Sequence, residues 1–144
     1  MAQRKFFWTF IVDMEPKLNP YNVLIVDDVP VIREALRWLI EDEADLTVIG
    51  EAGDGPEAIH RAAELLPEVV ILDVEMPGLD GYAVARQLKV MPDPPVVVFL
   101  TVHSDSVSRQ RATEAGGDGF AEKGRGWLTL IDQIHAALAS RSAV

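Results

Sequence analysis

Six polar residues stand where short apolar runs end. Asp27 and Asp28 close Val-Leu-Ile-Val, Asp73 and Glu75 follow Val-Val-Ile-Leu, Thr101 closes Val-Val-Val-Phe-Leu, and Lys123 comes after Phe-Ala-Glu. Carboxylates confined to a small volume repel one another, and a hard, oxygen-seeking divalent cation removes that cost. The chain has no cysteine and few histidines near these runs, so Mg2+ suits the set better than zinc or copper. A hydroxyl and a fixed ammonium on the rim of an acidic metal site suit a bound oxyanion. Phosphoryl is the natural choice, since Mg2+ and lysine are its usual partners, and a carboxylate then becomes the nucleophile. Singly, each residue has a plainer reading: Asp caps a helix or turn, Thr is a good strand former, and Lys is a solvated surface charge. Together, in this order, the six point to chemistry.

For the set to meet, the runs must be neighbouring strands whose carboxyl ends share an edge. From Asn22 onward short apolar runs alternate with longer amphipathic ones, the order of a parallel sheet flanked by helices. Val23 to Val26, Leu46 to Ile49, Val69 to Leu72 and Val96 to Leu100 read as strands buried on both faces, with a weaker fifth at Gly119 to Ala121. Helices are expected over Pro30 to Ile40, Pro56 to Leu66, Asp80 to Val90, Asp105 to Ala115 and Trp127 to Ala139. The first has Asp28 available as a cap and Pro30 suited to its first turn, with Ile32, Leu36, Leu39 and Ile40 on one side. The last should bury Leu128, Ile131, Ile134 and Leu138. Right-handed crossovers bring the strands' carboxyl ends to one edge, where open parallel sheets hold their ligands.

Length and composition allow one such domain. The chain has 144 residues, 49% of them hydrophobic and 25% charged, with no repeat or low-complexity run. Its net charge of −10 repels a polyanion, so the chain alone is not expected to bind DNA. The first hundred residues hold 8 Lys/Arg against 18 Asp/Glu, and the remainder 5 against 5, so the last third is the least repulsive to another protein. The absence of cysteine accords with a reducing cytoplasm without requiring it. Phe6 to Val12 is too short to span a bilayer and is followed by Asp13, Glu15 and Lys17 in place of a cleavage site. Residues 1–20 read as an extension, set off by Pro16 and Pro20, with the domain over residues 21–140 and a short tail at 141–144. His60 and His135 read as surface polar residues, since neither has a partner at i±4 to share a metal.

The motifs Val-Leu-Ile-Val-Asp27-Asp28, Ile-Leu-Asp73-Val-Glu-Met-Pro77-Gly78-Leu-Asp-Gly81, Phe-Leu-Thr101 and Ala-Gly-Gly-Asp-Gly-Phe120-Ala-Glu-Lys123 together resemble the response-regulator receiver domains of two-component signalling. The match covers roughly Asn22 to Leu138 and is specific through its order and spacing. The tracts Glu51 to Ala58 and Gly116 to Phe120 look most like receivers that precede helix-turn-helix output domains. The resemblance implies a flavodoxin-like α/β fold, doubly wound, with five parallel strands in the order 2-1-3-4-5 and five helices. It implies a cytoplasmic switch, not a turnover enzyme, that takes a phosphoryl group from a histidine kinase or phosphotransfer protein. Asp73 would be the phosphoacceptor. Asp28, Asp73 and the Glu75 backbone carbonyl would ligate Mg2+, with Asp27 reaching it through water. Lys123 would pair with the phosphoryl oxygens, Thr101 would hydrogen-bond one of them, and the Phe120 rotamer would follow Thr101, although by itself Phe120 reads as a core aromatic. The surface of the fourth helix, fifth strand and fifth helix would change for a downstream protein partner, or for homodimerisation on phosphorylation.

Three positions depart from the family pattern. Val102 stands where Ala, Ser or Gly is usual, which narrows access. Gly124 replaces the proline that usually follows Lys123, so no cis peptide is expected there. Glu75 and His103 occupy the two variable positions that influence the lifetime of the phosphoryl group. Competing readings are the isolated receiver part of a DNA-binding regulator, an aspartyl-nucleophile phosphohydrolase and a flavin-binding module. The hydrolase reading wants Asp-x-Asp after the first strand. The flavin reading wants a Ser/Thr/Gly-rich loop where Asp27 and Asp28 would instead repel phosphate.

Overall fold

The structure, a computed structural model, describes residues 19–124 and 127–142, apart from the side chains of Leu128 and Ser142. The expected extension falls almost wholly outside that range, as does the expected burial of Leu128. Five strands and five helices alternate: β1 (Tyr21–Val26), α1 (Pro30–Glu41), β2 (Leu46–Ala52), α2 (Gly55–Leu65), β3 (Val69–Asp73), α3 (Gly81–Lys89), β4 (Val96–Thr101), α4 (Ser106–Glu114), β5 (Gly119–Glu122) and α5 (Trp127–Ser142). The sheet is parallel in the order β2-β1-β3-β4-β5, the doubly wound arrangement expected from the sequence. Among the described residues no helix is long and apolar enough to cross a membrane.

The two-residue period of the strands sorts their side chains into two cores. Val23, Ile25, Val69, Ile71, Val98 and Leu100 face Leu36 and Ile40 of α1 and Leu130, Ile131, Ile134 and Leu138 of α5. Leu24, Val26, Val70, Leu72, Val97 and Phe99 face Ala58, Leu88 and Ala112 of α2, α3 and α4. Strands buried on both faces must be apolar throughout, which is why β1, β3 and β4 carry almost uninterrupted aliphatic runs. Of α4 only Ala112 is buried among the helix's residues, so α4 is the helix least anchored to the core.

Helix starts differ from the expectation in an instructive way. Asp80 and Asp105, read as helical, lie one residue outside α3 and α4 and cap them, accepting from the Ala83 and Ser108 N–H groups. Asp54 does the same for α2 through Glu57. Asp28, offered as the cap of α1, is not one: Val29 occupies the cap position without a side-chain bond, and the Val29 N–H instead donates to Asp27 Oδ1 at 2.9 Å. The β1–β2 pairing carries an irregularity, with Val23 opposite Val48 and Leu24 opposite Gly50.

Gly81 governs how closely α3 follows β3. Its N–H donates to the Val74 carbonyl at 2.8 Å. A Cβ there would press on the Asp73 carbonyl oxygen and lie 2.7 Å from Val74 Cα, so backbone would have to move. Gly81→Ala is therefore expected to cost about 1–3 kcal/mol of folding stability, measured by denaturant titration. Unchanged stability would show that this close approach is not required.

Candidate functional site

The carboxyl ends of β1, β3, β4 and β5 meet at one edge. Asp27 follows β1 and is fully buried, Asp73 ends β3 at 3% exposure, and Thr101 ends β4 and is buried as well. Asp27, Asp28 and Asp73 each present a carboxylate oxygen within 4.8 Å of the other two, with Asp28 the most accessible. Lys123 reaches in from the turn after β5, placing Nζ 2.8 Å from Asp27 Oδ2 and 3.2 Å from Asp73 Oδ2. The turn is tied to β4, since the Lys123 N–H donates to the Thr101 carbonyl at 2.7 Å. Thr101 Oγ1 accepts from the His103 N–H at 3.1 Å, which leaves its own O–H available to donate. Asp73 Oδ1 accepts from the Glu75 N–H at 3.2 Å, drawing the Glu75 backbone around it.

The electrostatics are unbalanced. Burial and then the neighbouring Asp27 carboxylate push the Asp73 carboxyl up to about 6, against the opposing pull of Lys123 and the Glu75 N–H. Burial pulls the Lys123 ammonium down, but Asp27 and Asp73 outweigh it and leave Lys123 above the ordinary lysine value. Asp27 Oδ2 is buried, and Lys123 Nζ lies 2.8 Å from it. Three carboxylates against one ammonium leave a surplus of negative charge, and their oxygens are a donor set that a hard dication fits.

Around this centre, Glu75 Oε1 and His103 Nε2 lie 2.9 Å apart across the mouth, both residues exposed. Val102 stands on the rim at 58% exposure. Phe120 is half-buried on β5, set back from the acidic centre, with the Arg109 guanidinium 5.1 Å over its ring and its N–H donating to Gln133 Oε1. Gly124 adopts φ 81, and no cis peptide occurs among the described residues.

The sequence reading missed Arg33. Its Nη1 donates to the Asp27 carbonyl at 2.7 Å while its Nε pairs with Glu51 at 3.0 Å, and Arg37 holds the other Glu51 oxygen. The signal was present, because Arg33 and Arg37 are four apart on one helical face. His135, read as a surface polar residue, is in fact half-buried and bonded to Asp45. Its partner lies 90 positions away, beyond any i±4 test. His60 is exposed.

The model of the response regulator receiver domain family matches residues 23–135. The chain belongs to the response-regulator receiver family. This receiver is 36% identical over 117 residues to the transcriptional regulatory protein YdfI of Bacillus subtilis (strain 168), covering 81% of this chain and 54% of that protein. It is 35% identical over 120 residues to the response regulator GacA of Pseudomonas viridiflava, covering 83% and 56%. A LuxR-family two-component response regulator from Aurantimonas sp. SI85-9A1 superposes with a TM-score of 0.80 at 31% identity, covering 85% of this chain and 87% of that one. The response regulator domain of Thermotoga maritima CheB superposes with a TM-score of 0.78 at 27% identity, covering 84% and 98%. The receiver thus spans about half the length of the curated regulators it resembles.

Removing the misplaced charge should help folding. A carboxyl raised from 3.8 to about 6 binds a proton more tightly folded than unfolded, so stability falls as pH rises through that window. Asp73→Asn, neutral throughout, is expected to unfold later than wild type at pH 7 without Mg2+, by on the order of 1–3 kcal/mol. The gap should close below about pH 4, and Mg2+ should narrow it by stabilising only the wild type. Equal stability at pH 7 would contradict the electrostatics described above.

Proposed function

We propose that this receiver is a phosphorylation-dependent switch in which Asp73 accepts a phosphoryl group from a histidine kinase or phosphotransfer protein. The observation that carries the reading is Asp73 itself, a buried carboxylate held at a strand end beside a fixed ammonium and two further carboxylates. An Asp73 carboxylate oxygen attacks the donor phosphorus, the donor's bond to phosphorus breaks, and an acyl phosphate forms. Lys123, already against Asp73 and Asp27, then pairs with phosphoryl oxygens. Asp28, Asp73 and the Glu75 carbonyl, with Asp27 through water, would hold Mg2+. When bound, Mg2+ screens the repulsion between nucleophile and incoming phosphoryl group.

Signal would follow from Thr101 and α4. The Thr101 hydroxyl has a proton to give, and a phosphoryl oxygen is a better acceptor than anything it now meets. Drawing Thr101 in moves the loop carrying Val102 and His103, frees space beside Phe120, and lets the weakly anchored α4 shift. Exposed Glu75, His103 and Val102 on the mouth tune access and lifetime. The face of α4, β5 and α5 lies within the charge-balanced part of the chain, which supports a protein partner or a second copy there. Residues 21–140 would fold as the unit, with residues 1–20 an extension to it. The similarity to curated regulators of which the matched segment is about half supports a second reading, in which this receiver regulates a DNA-binding output domain. With net charge −10 the receiver would not itself hold DNA, and its place would be the cytoplasm.

Incubation with Mg2+ and acetyl phosphate is expected to add one phosphoryl group to the intact mass of the wild type and none to Asp73→Asn. Beryllofluoride binding serves as the control if Val102 slows small donors. Equal labelling of both proteins would refute the assignment. Calorimetry should further find Mg2+ bound more weakly by Asp28→Ala than by Asp27→Ala, because a direct ligand contributes more than one acting through water; matching affinities would reverse that order of roles.

A further inference from the structure

At the opposite edge of the sheet, the loop between α1 and β2 meets α5 through three potential metal ligands. Glu43 is buried at 7% exposure, Asp45 immediately precedes β2, and His135 of α5 is half-buried between them. One ligand atom from each lies within 4.8 Å of the other two. His135 Nε2 is 3.0 Å from Asp45 Oδ2 and 3.3 Å from Oδ1. Strands of five or six residues separate this cluster from Asp27, Asp28 and Asp73, a span of about 17–20 Å.

We propose that Glu43, Asp45 and His135 form a second cation site, for a divalent transition ion of the zinc type, which joins the α1–β2 loop to α5. An imidazole nitrogen facing two carboxylates is a mixed nitrogen and oxygen set that suits zinc-type ions and not Mg2+. For metal–ligand bonds of about 2.0–2.1 Å, adjacent donors around one ion lie about 2.9–3.4 Å apart, the separation of His135 Nε2 from the Asp45 oxygens. The place such an ion would take is held by the Nε2 proton, and binding exchanges one for the other: Nε2 gives its proton to solvent and its lone pair to the metal. The proton is not held loosely. The Asp45 hydrogen bond first, and then the charges of Asp45, Glu43 and Asp132, hold His135 above the ordinary imidazole value against burial. Metal binding therefore displaces that proton. Burial of Glu43 beside the loop fixes one ligand in advance, so the ion would staple the last helix to the sheet's far edge.

The test uses the full chain with the acidic centre removed, as the double variant Asp28→Asn, Asp73→Asn, titrated with ZnCl2 by calorimetry at pH 7.5 in two buffers of different ionisation enthalpy. One Zn2+ per chain is expected, with proton release, and His135→Gln or Asp45→Asn in that background should weaken it by about tenfold or more. Circular dichroism checks that each variant is folded, and the two substitutions act on different elements, so loss in both cannot be a single folding defect. No Zn2+ bound by the double variant, or binding retained after both substitutions, would overturn the site while leaving the role of Asp73 untouched. A site at Asp27, Asp28 and Asp73 alone would show as Zn2+ binding by wild type and none by the double variant.

Discussion

Two buried carboxylates, Asp27 and Asp73, share one ammonium, and much of the surrounding structure serves that arrangement. Lys123 can sit against both only because β5 pairs with β4, which pairs with β3, which pairs with β1. Each strand must end at the same edge, so each must be parallel, and each parallel connection demands a covering helix. The aliphatic runs and the two cores follow from that requirement. One cation against two anions is also an incomplete settlement. Burial and the Asp27 charge push the Asp73 carboxyl up to about 6 even with Lys123 beside it. A site left short of positive charge is one whose carboxylate oxygens suit a dication.

The supporting shell distributes rigidity unevenly. On the β1 side, Arg33 grips the Asp27 carbonyl and shares Glu51 with Arg37; burial raises Glu51, but the two guanidiniums win and hold it below the usual carboxylate range. On the far side, Asp118 accepts from the Val97 N–H and pairs with Lys89, which fixes the start of β5. Between these, α4 contributes one buried alanine, and Phe120 is covered by Arg109 from α4 itself. A change at Thr101 thus meets stiff structure toward β1 and yielding structure toward α4.

The five strands and the residues of the acidic centre were legible in the sequence because each depends on local pattern, whereas the sheet order was implied only by the resemblance to the receiver family. Aliphatic runs mark doubly buried strands, and a polar residue ending such a run is conspicuous. Helix starts were blurred by one residue, since Asp80 and Asp105 look alike as first residue or cap until backbone geometry is known. Asp28 misled as a cap because adjacent Asp27 turns back on Val29 instead. Arg33 and the pairing of His135 with Asp45 were hidden for a different reason: they depend on tertiary distance, and no spacing along the chain announces a partner on another element.

Charge placed on Asp73 would be felt at α4 through Thr101, and amide spectra of wild type and Thr101→Ala, with and without Mg2+ and beryllofluoride, test this most directly. In the wild type, shifts should run from Val102 through α4 to Phe120 and Lys123. In Thr101→Ala they should stay near Asp27, Asp28 and Asp73 while beryllofluoride still binds. Unmoved amides around Phe120 in the activated wild type, or a full response in Thr101→Ala, would contradict it.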